Sequence, residues 1–267
     1  DKIKKDIIDM TTKLALELNV IGLINLQFAV KGNEAYVLEV NPRSSRTVPF
    51  VSKYSNVPLA NIAAQLSVGK KLKDFNLEEN NFNHIAVKKA VLPFKKFKNE
   101  KVFLGPEMKS TGEVMGIDSE PGMAFLKAMQ SDGYTVPNEG TAFVSISDID
   151  KKRALPIIRD LATLNFKIIA TKGTADFFTE NGIECTSIFK VGEGRPNVVD
   201  EILNDNIHLV INTPLGAQSR YDEEAIGKTS VMKNILTITT LAGAKAAIAA
   251  MSHLDQVSVK PLQEYFK

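Results

Sequence analysis

The stretch Gly22-Leu23-Ile24-Asn25-Leu26-Gln27-Phe28-Ala29-Val30-Lys31-Gly32-Asn33-Glu34-Ala35-Tyr36-Val37-Leu38-Glu39-Val40-Asn41-Pro42-Arg43 decides how the first part of this chain folds. Two apolar, β-branched runs, Gly22 to Val30 and Glu34 to Val40, flank Lys31-Gly32-Asn33 and predict a β-hairpin turning at Gly32-Asn33. Asn41-Pro42 ends the second strand, because proline cannot donate to a ladder. With a three-residue loop, Gly32 to Glu34, Lys31 faces Ala35, and counting back sets Gln27 opposite Glu39 on one face. A two-residue loop shifts that pairing by one. Asn41, two residues past Glu39, points the same way.

Three oxygen-bearing side chains then converge with a single formal charge. Magnesium takes hard oxygen ligands, usually one or two carboxylates completed by phosphate oxygens and water, so Glu39 is the anionic candidate ligand and Gln27 and Asn41 its neutral neighbours. Arg43 and Arg46 follow at once, and guanidinium groups suit phosphate-like oxyanions through paired hydrogen bonds. Metal plus arginine is the equipment of phosphoryl transfer, where positioning and charge neutralisation supply most of the catalysis. The competing reading is an ordinary half-exposed hairpin with polar outward residues.

Working outward, Ile3, Ile7, Leu14 and Leu18 recur at helical spacing across Asp1 to Asn19, with Asp1 as a possible cap. The chain starts without Met in the middle of this amphipathic pattern, which is expected of a cut through a larger domain. Pro58 to Val68 predicts a short helix closed by Gly69, and His84 to Phe94 a strand, while Leu104 to Gly116 has no clear period. The turn-rich segment Asp132-Gly133-Tyr134-Thr135-Val136-Pro137-Asn138-Glu139-Gly140 is the best linker. Beyond it the pattern changes. Strand candidates at Thr141 to Ile146, Phe166 to Ala170, Glu184 to Ile188, His208 to Ile211 and Ile235 to Ile238 alternate with helical stretches near Lys151 to Leu164, Ala175 to Asn181, Asn197 to Asn204, Tyr221 to Lys233 and Gly243 to Met251. Such alternation implies βαβ units and a parallel sheet covered on both faces, with ligands at the carboxyl ends of its strands.

A second constellation falls on that edge. Phe166 to Ala170 runs into Thr171-Lys172-Gly173-Thr174-Ala175, a strand-to-helix turn that offers backbone N–H groups, hydroxyls and a helix dipole to an anion. Lys190 follows the next strand and Asn212-Thr213 closes the one after. Read alone, the Thr-x-Gly-Thr turn is a helix cap.

The runs Gly22 to Val30, Val37 to Arg43 and Arg46-Thr47-Val48-Pro49-Phe50-Val51-Ser52-Lys53 closely resemble the large chains of carbamoyl-phosphate synthetases, ATP-grasp enzymes with two homologous halves. The resemblance continues through Val87 to Phe94 and Leu104 to Gly116 into the last part of the chain. It implies a C-terminal portion of an ATP-grasp α+β domain over residues 1–133, followed over 134–267 by a doubly wound, parallel-sheet, methylglyoxal-synthase-like allosteric domain, an α/β chain throughout. It further implies Gln27, Glu39 and Asn41 as Mg2+ or Mn2+ ligands and Arg43 and Arg46 beside the transferred phosphoryl group. Lys151, Thr171, Thr174, Lys190 and Asn212 match contacts to an effector nucleotide, UMP or IMP. The implied activity is phosphorylation of carbamate, derived from bicarbonate, by ATP to carbamoyl phosphate for pyrimidine and arginine biosynthesis. The implied partners are a glutamine amidotransferase small chain and further subunits of an oligomeric full-length enzyme. These residues alone are expected to show no turnover, lacking the glycine-rich ATP-covering elements. Three departures stand out: Pro214 follows Asn212-Thr213, Lys89 stands where ornithine-activated members carry Glu, and Thr237 replaces their Tyr, all of which argue for an altered effector response.

Composition narrows the remaining classes. The 33 basic and 31 acidic residues leave a net charge of +2, too little for a nucleic-acid footprint. The single cysteine, Cys185, excludes a disulfide framework. No apolar run reaches the ~20 residues of a bilayer span, so a cytoplasmic protein without membrane partners is expected. The runner-up enzyme is a methylglyoxal-synthase-like lyase, but Arg195 in Val191-Gly192-Glu193-Gly194-Arg195-Pro196 stands where its carboxylate base belongs and cannot act as one. A purely regulatory nucleotide-binding module over residues 140–252 is the third possibility.

Overall fold

The computed structural model describes residues 2–77, 82–92, 108–213 and 220–266. The chain divides into two compact units, Asp1–Phe82 with Lys260–Lys267, and Asn83–Val259. The boundary drawn from sequence at 133/134 falls inside the second unit. The Asp1 cap, the end of the strand expected to reach Phe94, the start of Leu104 to Gly116 (residues 104–107), and Pro214 lie outside the described residues.

In the first unit, helix α1 (Lys2–Glu17) precedes an antiparallel hairpin of β1 (Asn25–Lys31) and β2 (Glu34–Asn41), then helices α2 (Thr47–Ser55) and α3 (Leu59–Ser67). The loop holds two residues, not three: Lys31 pairs with Glu34, and Gly32 takes φ 60°, the left-handed conformation that a tight two-residue turn needs. Taken alone, this would slip Gln27 past Glu39. A β-bulge between Gln27 and Phe28 restores the pair, because Phe28 faces Val37 while Gln27 faces Glu39, leaving Leu38 as the extra residue. Two compensating errors in the count thus cancel. Burial in this unit is thin, with Ile62 the one core residue among those described, and Val30 and Leu38 stay exposed. A two-stranded hairpin gains little stability by itself. The segment Leu262–Phe266 returns to this unit, where Phe266 meets the edge of Phe82 and Phe82 that of Tyr54.

The second unit opens with an antiparallel pair, β3 (Ile85–Val91) and β4 (Gly112–Asp118), covered by helix α4 (Pro121–Ser131). Pro121 sits at the start of α4, where a missing N–H costs nothing. Met123, Ala124, Leu126, Ala128 and Met129 bury its inner face. On β3, Lys89 is ion-paired with Asp132 and its ammonium lies 5.0 Å from the Tyr134 ring centre.

The linker stretch leads into a five-stranded sheet, all parallel: β5 (Gly140–Ile146), β6 (Phe166–Thr171), β7 (Thr186–Ile188), β8 (Leu209–Thr213) and β9 (Leu236–Ile238) in the order β7-β6-β5-β8-β9. The connecting helices are α5 (Lys151–Thr163), α6 (Lys172–Glu180), α7 (Val198–Leu203) and α8 (Arg220–Met232), and α9 (Leu241–Met251) follows the last strand. Alternation along the strands feeds two cores. Ala142, Val144, Ile146, Ile168, Leu209 and Ile211 face one side with α4, α5, α6 and α9, whereas Phe143, Ile169 and Val210 face the other with α7 and α8. This part of the chain is therefore α/β and doubly wound, as predicted for it. Strand order reverses direction between β5 and β8, and such a switch point opens a crevice at the carboxyl edge of the sheet.

Cys185 packs against the first core, and burial pushes its thiol up to about 11. Since the thiolate is the nucleophile, alkylation by iodoacetamide at pH 8 is expected to run about tenfold slower than for an unshielded thiol, after allowing for the greater nucleophilicity of a more basic thiolate. The rate should keep climbing above pH 9. A plateau near pH 9 would show the thiol unperturbed. The same raised pKa makes the cysteine's contribution to stability complete below pH 9 and progressively lost as the pH rises toward 11.

Candidate functional site

Two places in the fold gather the residues singled out from the sequence. The first is the hairpin. Gln27 pairs directly across from Glu39, Asn25 pairs with Asn41, and the Asn41 Nδ2 donates to Glu39 Oε1 at 2.7 Å. Gln27 and Glu39 are exposed and Asn41 is half-buried. The bond between Asn41 and Glu39 puts them on one face, as the period of two requires. It engages one carboxylate oxygen and the amide nitrogen, so the other Glu39 oxygen and the amide oxygen of Asn41 take no part in it. That hard, singly charged oxygen set fits a magnesium-sized divalent ion.

Arg43 follows in a compact turn in which its N–H donates to Asn41 O at 2.8 Å, and its guanidinium donates to Ser44 O at 3.0 Å. Arg46 holds the residue before α2. Both arginines are exposed.

The second place is the crevice at the sheet's carboxyl edge, a cavity of about 770 Å³. Lys151, Thr171, Thr174, Lys190 and Asn212 all line it. They come from four connections: Lys151 opens α5 after β5, Thr171 ends β6 and Thr174 lies in the first turn of the α6 that follows it, Lys190 follows β7, and Asn212 ends β8. A parallel sheet brings these ends together although they are 61 residues apart in sequence from Lys151 to Asn212. Thr171 occupies the N-cap position of α6 yet makes no side-chain capping bond, so the plain helix-cap reading does not describe this turn. The Thr171 side chain therefore leaves the first N–H groups of α6 uncapped. Beside Asn212, the buried Thr213 hydroxyl has no hydrogen-bond partner among the described residues.

The Lys151 ammonium is 2.6 Å from Asp148 Oδ1 and donates to Gly173 O at 2.7 Å. Lys190 lies 3.6 Å from Glu193. Sequence reasoning missed the anionic members of the lining, Asp148, Asp222 and Glu223. Asp148 could have been found by the same carboxyl-edge rule, since it lies in the loop between β5 and α5. Burial raises the Asp222 pKa, with Lys190 opposing and Glu193 adding to the shift. Two cations interleaved with carboxylates, Lys151 beside Asp148 and Lys190 acting on Asp222, suit a ligand with an anionic group and hydroxyls. Arg195 lies apart from this lining, 3.7 Å from Asp200, and supplies no base here.

Comparison with known proteins gives two domain matches in the same order along the chain. Residues 1–75 match the family model for the carbamoyl-phosphate synthase L chain, ATP binding domain, and residues 153–239 match the MGS-like domain. The carbamoyl phosphate synthase large chain of Archaeoglobus fulgidus is 50% identical over 97% of this chain, that of Nostoc sp. 49% over 96%, and that of Rhizobium meliloti 47% over 96%. The chain spans about a quarter of the length of these relatives, 24%, 24% and 23% respectively. An ATP-binding segment that carries the hairpin, followed by an MGS-like sheet that carries the crevice, places the chain in the carbamoyl phosphate synthase large chain family.

Proposed function

We propose that this chain is the C-terminal part of a glutamine-dependent carbamoyl phosphate synthase large chain, in which the first unit helps phosphorylate carbamate with ATP and the second binds a regulatory nucleotide. The observation that carries the reading is near-50% identity to large chains running unbroken through both units. Gln27, Glu39 and Asn41 hold the divalent ion, magnesium or manganese, which supplies charge neutralisation at the phosphate oxygens of ATP. Arg43 and Arg46 lie on the turn after the metal-bearing strand, where guanidinium groups steady the oxygens of a transferring phosphoryl group. Ammonia would come from a glutamine-hydrolysing small chain, in a cytoplasmic, oligomeric enzyme.

In the crevice, Lys151, Lys190 and the first turn of α6 take the phosphate of a nucleotide such as UMP or IMP, and Thr171, Thr174 and Asn212 supply neutral hydrogen bonds. Asp222 also lines the crevice, where a carboxylate can accept bonds from ribose hydroxyls. No carboxylate stands at Arg195, which favours binding over a lyase reaction. The full-length enzyme with Glu39→Gln is expected to lose roughly a hundredfold or more of its carbamoyl phosphate formation from carbamate and MgATP, because the one anionic ligand is gone. A variant within twofold of the parent would refute the metal assignment.

A further inference from the structure

Asp148 behaves as though a ligand's anion were already present. Its carboxylate sits 2.6 Å from the Lys151 ammonium inside the crevice. The hydrogen bond and charge of Lys151, with a smaller contribution from Lys190, hold its pKa below the usual carboxylate range. It therefore feels both cations of the cavity.

The two partners differ in freedom. The Lys151 side chain is 14% exposed and is pinned further by Gly173 O and by the Phe177 ring, 5.9 Å from its nitrogen. Asp148 is 90% exposed, on a four-residue loop between β5 and α5 next to the outward-facing Ile149, and swings away without losing packing. Between a fixed cation and a movable anion, the anion is the one that yields.

We propose that Asp148 is a resident counter-anion of this cavity: it neutralises Lys151 in the ligand-free chain, and an anionic phosphate ligand binds by displacing it. The proposal rests on reading the crevice as a phosphate site. A solvent-exposed ion pair is weak, so the self-occupied state is easily broken, and its cost appears as reduced affinity.

The test is calorimetric titration of the whole 267-residue chain with inorganic phosphate, for the parent, Asp148→Asn, Lys151→Gln and the double variant. Asp148→Asn is expected to bind phosphate about twofold to fivefold more tightly, the range an exposed ion pair supports. In the Lys151→Gln background the same change should alter affinity by less than half that factor, because the cation being competed for is gone. Weaker or unchanged binding by Asp148→Asn overturns the proposal and makes Asp148 a residue that positions Lys151 or none at all. An equal gain in both backgrounds also overturns it, reducing Asp148 to a general negative field. Absence of saturable phosphate binding by the parent chain defeats the crevice reading and the displacement with it, whereas parental binding that Asp148→Asn leaves untouched defeats the displacement alone.

Discussion

Gly116→Ala is expected to destabilise the second unit by about 3 kcal/mol, toward the upper end of what overpacking costs. Gly116 lies in the middle of β4 under α4, and a Cβ there would come 1.9 Å from Ala124 O and 2.5 Å from Ala128 N. Both are backbone atoms. No rotamer change relieves such contacts, so the helix has to move away from the strand pair. That movement also disturbs α9, against which α4 packs on its far side, and the buried Leu126 and Met129 between them. With a urea m-value near ~2 kcal/mol/M, the midpoint of this unit's transition falls by roughly 1.5 M. A shift below about 0.5 M would mean that strand and helix part at little cost, against the close packing described. Since the chain has two compact units, the transition is best followed by a probe confined to the second.

Phe178→Ala opens the opposite kind of defect. Phe178 is fully buried on α6, within the core that includes Ile168, Ile183 and Leu161. Removing a buried phenyl ring loses its transfer free energy and leaves a cavity, together about 3–5 kcal/mol. Interior side chains interdigitate closely enough that neighbours refill only part of the space. Val259→Ala, at a side chain 94% exposed, should stay within about 0.5 kcal/mol and serves as the comparison. Since α6 also presents Gly173 and Thr174 to the crevice, a softened α6 should weaken phosphate binding in parallel with the loss of stability. A stability loss under about 1 kcal/mol would contradict the burial of this ring.

Much of the architecture was legible because the second unit is built by local rules. Each βα repeat declares itself by an apolar run and a helical period, and the carboxyl-edge rule then gathers Thr171, Thr174, Lys190 and Asn212, to which the family resemblance adds Lys151. Helix α4 and strand β4 escaped notice for a physical reason. Val114-Met115-Gly116 alternates weakly, and the apolar residues of α4 point toward α9, a partner 120 residues later in sequence from Pro121 to Leu241. Their patterns make sense only against each other.

Sequence by itself determined the parallel-sheet class, the hairpin, the face shared by Glu39 and Asn41, and the family to which these motifs point. These depend on periods of two and 3.6 and on turn chemistry, all short-range properties of the backbone. Only tertiary structure decided that a bulge at Gln27/Phe28 rescues the pairing with Glu39, that α4 leaves no room beside Gly116, and that Lys151 reaches across to Gly173 O. Each of those depends on how two separate segments meet in space, which no local period encodes.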